Sequence, residues 1–358
     1  PAWVRNRIES KLAESGLRAV LGPTQFDTSG KILIQDLTIF QTALADPPAR
    51  IGSVYAQLDP WWLLAGHVEF EEVVIEDATL FLPGLLSPTG QSESLFTDLS
   101  LKVIPEGRTL HLPAFAGRFA NLEISLQGAV RFPFPATDHE PEDFGRQLRQ
   151  GIQNYLTFAR SAFVAIPHLK RVQQPRLHLD LIPRDRIWAE VGVAFSAQEV
   201  VLPTALVKSP GGDLYVKDLV IRTRVPLLPS RMSTLAADVV ASRVEAPEGR
   251  KLAQLRGSLL ARWGIQPFTV TPAHLKLSVA ELESPPWNLS HLTLETSWPA
   301  VNPSLSFFFA GEPWAVAARD VDFSQRKGVV TVRGSPTQEL FELLSQVSKR
   351  PLSSQLQL

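Results

Sequence analysis

The sequence predicts a mainly β protein, a long antiparallel sheet carrying three amphipathic helices. Three observations predict it. Short runs in which apolar and polar residues alternate recur along most of the chain, as in Leu177, Leu179 and Leu181 around His178 and Asp180. Turn residues punctuate those runs, for example Pro-Gly-Gly at 210–212 and Asn-Pro at 302–303. Only three stretches show a helical period instead. Alternation with period two gives a strand one wet face and one apolar face, and the Gly and Pro clusters close each strand.

The first helix is expected from about Pro1 to Ser15, with Val4, Ile8 and Leu12 four apart and Gly16 placed to end it. The second spans 141–166. Pro141 suits its first position, Glu142 and Asp143 its positive dipole end, and Pro167 its stop. Its apolar stripe runs from Phe144 through Leu148, Ile152, Tyr155, Ala159 and Phe163 to Ile166. The third starts at Ser335, with Gln338 set to complete a capping box and Leu340, Phe341, Leu344 and Val347 as its stripe. These elements divide the chain into an N-terminal helix and sheet at 1–136 and a helical insertion at 137–174. A second antiparallel segment at 175–335 continues the sheet, and a C-terminal helix and tail occupy 336–358. No strict repeat of fixed length is visible, only strand units of similar size.

Composition narrows the functional classes. The chain has 358 residues, 35 Lys plus Arg against 36 Asp plus Glu, and a formal net charge of -1. That balance argues against a nucleic-acid partner, which requires a basic face to release phosphate counterions. Hydrophobic residues make up 44% and charged residues 20%, so the chain has ample apolar material and is not disordered. No window approaches the ~20 apolar residues of a spanning helix. Cysteine is absent, which removes disulfides, thiolate metal sites and Cys nucleophiles. The chain begins at Pro1 rather than Met, so a preceding signal peptide or membrane anchor is expected to have been removed.

Chemistry-bearing motifs are sparse. The seven histidines, at 67, 111, 139, 168, 178, 274 and 291, form no His-Glu-x-x-His pair, and those in strands fall on polar positions and read as solvated. The acidic run Glu69, Glu71, Glu72, Glu76 and Asp77 lacks the glycine-broken loop of a calcium site and reads as an edge or solvated strand. Lys170, Arg171, Arg176, Arg184 and Arg186 read as an ordinary basic connector rather than a headgroup site. No catalytic residue, metal site or cofactor is expected, and the chain is expected not to be an enzyme. The eight tryptophans suit packing at sheet rims better than a carbohydrate platform.

Between two early strands lies Leu58-Asp59-Pro60-Trp61-Trp62-Leu63-Leu64-Ala65-Gly66. Trp61 and Trp62 form an apolar half-turn, and Gly66 is expected at positive φ to reverse the chain. Together with the short helix at 1–9, the glycine-led strand from Gly30 to Leu37 and the strand at 67–80, this order resembles the start of AsmA-like proteins of Gram-negative envelopes. TamB-type and chorein-type lipid-transfer proteins are its wider relatives. The match covers Glu9 to Pro83; the rest agrees only in its series of alternating strands. The helix at 141–166 is not part of that family pattern.

The resemblance implies a curled sheet with an apolar groove, tethered to the inner membrane and facing the periplasm, that carries phospholipids or other acyl lipids toward the outer membrane. Such a role needs no reactive side chain. It answers a physical difficulty of the sequence: three helices, each about 10 Å wide, cannot cover the apolar face of a dozen or more strands. The sheet must close into a barrel, fold onto itself as a sandwich, or leave a groove filled by an apolar ligand. The inward positions Leu179, Val191, Val193, Leu275, Leu277, Leu292, Leu294, Phe307 and Phe309 are therefore the expected groove lining. The rival expectation is a scaffold that offers its sheet edge to client strands during outer-membrane protein assembly, among envelope protein partners.

Overall fold

The computed structural model describes residues 9–10, 12–13, 16–27, 29–41, 44–58, 70–87, 89–107, 109–131, 167, 171–183, 190–202, 212–226, 233–265, 268–284, 287–297, 305–311, 314–322 and 327–334. The chain divides into two compact units, one of residues 1–200 with 222–229, the other of residues 201–221 with 230–358.

The first unit opens with β1 (Leu17–Val20) and β2 (Thr24–Phe26), both antiparallel to β3 (Lys31–Gln41). They share one edge of β3, broken at Leu21, Gly22 and Pro23. From β3 the chain runs as an antiparallel meander through β4 (Ala49–Leu58), β5 (Phe70–Leu82), β6 (Glu93–Glu106), β7 (Thr109–Phe119) and β8 (Leu122–Arg131). The short β9 (Val172–Gln173) and β10 (Arg176–Ile182) then lie end to end beside β11 (Glu190–Leu202), antiparallel to it.

One pairing corrects the expectation of a purely antiparallel sheet: β10 runs parallel to β8, with Leu179 level with Leu126. A parallel neighbour cannot be reached by a hairpin and requires a longer crossover. The intervening segment, 132–171, contains the helix expected at 141–166. That helix and the one expected from Ser335 lie outside the described residues. Of the first, only Glu9, Ser10, Leu12 and Ala13 are described, with helical backbone. Gly16 follows at φ 74, its N–H donating to the carbonyl of Ala13.

Three small buried clusters hold this unit. Ala19, Leu21, Ile34 and Leu37 pack together, with Leu12 against them. Leu82, Leu95 and Phe119 form a second cluster under the β5–β6 connection, where the Phe96 and Phe119 rings stand 5.1 Å apart. Val130, Leu181 and Val191 form the third. Leu82 is 0% exposed, so Leu82→Ala should lower the unfolding free energy by about 2–5 kcal/mol through lost burial and an unfilled cavity. Chemical denaturation followed by circular dichroism checks this; a loss below 1 kcal/mol would mean that the cluster is not a core.

The second unit contains most of β12 (Leu214–Pro226), then β13 (Ser233–Glu245), β14 (Lys251–Ile265), β15 (Phe268–Ser284), β16 (Trp287–Ser297), β17 (Leu305–Gly311), β18 (Trp314–Asp322) and β19 (Lys327–Gly334). Each strand from β13 to β19 is antiparallel to the next. Residues Ala241, Ala261 and Leu292 are buried. No cluster of buried apolar side chains comparable to those of the first unit occurs among its described residues.

Six strands break the alternation in the same way. Asp36, Asp77, Asp98, Asp218, Gln254 and His291 all have φ between 50 and 55. This left-handed conformation costs an ordinary residue roughly 1–2 kcal/mol, and the short polar side chain of Asp tolerates it best. Each is exposed, and each precedes Leu or Ala: Asp36-Leu37, Asp77-Ala78, Asp98-Leu99, Asp218-Leu219, Gln254-Leu255 and His291-Leu292. An apolar residue also stands two positions before each one, such as Ile34, Ile75 and Phe96. Apolar residues three apart would face opposite ways on a regular strand. The left-handed residue restores the second to the inner face: Ile34 and Leu37 are 6% and 8% exposed and belong to the same cluster.

Candidate functional site

Register turns the alternating strands into transverse apolar rows. In the first unit one row runs Ile34, Val54, Ile75, Leu101, Phe115, Leu126, Leu179 and Val193, crossing from β3 to β11. Register partners share a face of the sheet, so the row is continuous. Only Ile34 in it is buried; its other members are half-buried. In the second unit a row runs Val239, Gly257, Leu277 and Leu294, and the register continues it to Phe309, Val316 and Val332. The next row joins Ala237, Leu259, Leu275 and Thr296, and its register reaches Phe307.

Seven of the nine expected lining residues fall into these rows, and Val191 and Leu292 lie beside them. Leu179 and Val193 are register partners and pack, half-buried, against the cluster containing Val191, which is 8% exposed. Leu277 pairs with Leu294, and Leu275 lies in the adjacent row. Leu275, Leu277 and Leu294 are half-buried, whereas Leu292, paired with Val279, is 4% exposed. Phe307 and Phe309 are placed by backbone register alone. The half-turn residues Trp61, Trp62 and Gly66 lie outside the described residues.

Such a face can bind one kind of chemistry. Half-buried aliphatic side chains in unbroken rows offer dispersion and hydrophobic contact along a line, with no directional donor or acceptor. An acyl chain laid on them would gain about 0.8 kcal/mol per buried CH2.

The opposite, polar face carries a second feature, which the sequence reading missed. An open depression of about 460 Å³ is lined by Arg118, Glu123, Ser125, Arg176 and His178, among others. The parallel β8–β10 pairing places Ser125 level with His178 and Glu123 level with Arg176. Ser125 Oγ lies 2.8 Å from His178 Nδ1, and His178 Nε2 lies 3.1 Å from Asp180 Oδ1. Gln127 Nε2 donates to the same carboxylate oxygen at 2.8 Å. A histidine expected to be simply solvated is therefore tied to two partners. No sequence spacing could signal this, because Ser125 and His178 meet only through a parallel pairing.

That arrangement binds the strands together rather than offering a reactive centre. Ser125 lies mid-strand between Ala116 and His178, its neighbouring amides committed to the ladders on both sides, so no pair of N–H donors faces an oxyanion. Both arginines of the depression face Glu123, Arg176 at 3.1 Å and Arg118 at 3.8 Å, and Asp98 also lines it, so its two guanidinium charges are matched by two carboxylates. His274 is similarly engaged, with Ser297 Oγ 3.1 Å from Nδ1. The acidic strand β5 pairs outward, Glu72 with Lys102 at 2.6 Å. Among the described residues no group of three or more His, Asp or Glu side chains could hold a metal. His178→Ala should therefore reduce stability by only about 0.5–1 kcal/mol, as read by urea denaturation. A loss above about 2 kcal/mol would mean that the row holds the strands together more strongly than half-exposed hydrogen bonds do.

No family model, curated protein or solved structure matches the chain.

Proposed function

We propose that this protein is a non-enzymatic lipid-binding and lipid-transfer protein of the bacterial envelope, holding phospholipid acyl chains along the apolar face of its sheets. The observation that carries the reading is the half-exposed state of the second unit's inner rows. Leu275, Leu277 and Leu294 are aliphatic, contiguous by register and incompletely covered, and no buried apolar cluster accompanies them among the described residues. A contiguous apolar surface left only partly covered points to a binding surface more than singly scattered apolar residues do.

The AsmA-like order of residues 9–83 supports the cellular setting of the proposal. In it, the protein works in the periplasm, tethered to the inner membrane by a segment preceding Pro1, and passes lipid between inner and outer membrane. The rival reading, a scaffold adding client strands to its edge, fits less well. The β1–β2 edge is interrupted at Gly22 and Pro23, and breaks with proline protect an edge from pairing.

The test is extraction of the purified protein followed by mass spectrometry of the organic phase. Phospholipid at one or more molecules per chain is the expected result. Protein that purifies without lipid and takes up none from vesicles of phosphatidylethanolamine and phosphatidylglycerol would count against the proposal.

A further inference from the structure

We propose that the left-handed residues form a fold line, a crease running across the strands that sets the curvature of each sheet. The inference concerns the sheets themselves and stands whether or not acyl chains fill them.

Position argues first. In the second unit the left-handed residues sit on alternate strands, Asp218 in β12, Gln254 in β14 and His291 in β16. The strands between present small residues at the same level: Ser242 lies opposite Gln254, and Ala280 opposite His291. In the first unit Gly52 of β4 lies between Asp36 of β3 and Asp77 of β5. A Cβ at Gly52 would come within 2.8 Å of the Asp77 Cβ, so the glycine makes room for the kink. Asp98 continues the line in β6, where the register with both neighbours shifts.

Direction argues second. β12, β14 and β16 alternate in the meander and run the same way, as do β3 and β5, so kinks on them bend the sheet in one sense; Asp98 stands on β6, which runs opposite to its neighbour β5. Local irregularities of this kind bend a strand and increase its twist. Polar bonds also cross the line. Ser242 Oγ donates to Asp218 Oδ2 at 2.6 Å and also lies 3.3 Å from the Lys217 carbonyl. Residues held in a sparsely populated conformation persist where the surroundings require it. Here Asp36 and Asp77 share one level, Asp218, Gln254 and His291 another, and the inner face stays apolar on both sides of the line.

The chain contains no cysteine, so paired spin labels can be placed without background. Ser94→Cys and Glu106→Cys put labels at exposed positions near the two ends of β6, on either side of Asp98. Their separation of 12 residues (106 − 94) corresponds to about 40 Å on a straight strand. Pulsed electron resonance should read a shorter distance in the otherwise unaltered chain and the same shorter distance with Asp98→Gly, which keeps the left-handed conformation. Asp98→Val, whose branched side chain disfavours it, should lengthen the distance by roughly 3 Å or more. A straight-strand distance without any substitution at Asp98 would overturn the proposal even if Asp98→Val failed to fold. So would an unchanged distance in a folded Asp98→Val variant.

Discussion

Gly128→Ala should lower the stability of the first unit by about 3 kcal/mol or more, through combined backbone strain and overlap. Gly128 has φ +121, where a side chain is strained regardless of space. It also sits at the seam of the fold, paired with Leu112 of β7 and level with Leu181 of the parallel strand β10. A Cβ there would overlap the carbonyl oxygen of Leu181, which is backbone and cannot swing aside. Leu181 in turn belongs to the buried cluster with Val130 and Val191, so relief by local movement would open that cluster. Gly90→Ala serves as the control. Gly90 also has positive φ, 72, but nothing lies within 4 Å of its Cβ position. Its cost should stay near 1 kcal/mol. Equal losses in the two variants, measured by urea denaturation, would remove the seam from the account.

Leu277→Asp should reduce bound phospholipid at least tenfold while the strand signal in circular dichroism persists. Leu277 is half-buried in the central row of the second unit, between Gly257 and Leu294. Its side chain leans over Gly257, where a Cβ would come within 2.7 Å of Leu277 Cδ2. A carboxylate at that point costs several kcal/mol against acyl chains, and each 1.4 kcal/mol is a factor of ten in affinity. Without lipid the same group reaches water, so folding survives. Val193→Asp offers the contrast, because Val193 packs against the buried cluster around Val191. It should lose lipid and stability together. Global unfolding of Leu277→Asp would mean that the second unit has a dry packed core, and would return the fold to an ordinary β structure.

The strands were legible because alternation is a local property: Leu177, Leu179 and Leu181 announce their shared face from sequence alone. The kinks were not, because a left-handed residue looks in sequence like a fault in that alternation. Ile34-Gln-Asp-Leu37 and Ile75-Glu-Asp-Ala78 place apolar residues three apart, which a two-residue period scores as noise. Read together, the six copies are a repeat unit that a search for fixed-length repeats passes over, since the spacing between copies varies. The parallel β8–β10 pairing was also hidden, because strand direction depends on the connection and not on the strands. With it went the Ser125–His178–Asp180 row. Alternation placed Leu179, Val193, Leu275, Leu277 and Leu294 at inward positions of their strands, but it carried no information on which residues of those strands are buried. Val191 and Leu292 are covered while Leu277 and Leu294 are half-open, a distinction set by neighbours far along the chain.

The most direct test of the central claim is photocrosslinking with a phospholipid that carries a diazirine in its acyl chain, followed by digestion and mapping of the adducts. Adducts are expected on the inner rows of the second unit, at Leu275, Leu277, Val279 and Leu294, all competed away by unlabelled phospholipid. Adducts confined to the outward positions of the same strands, such as Lys276 and Glu281, or a complete absence of competable adducts, would contradict that claim.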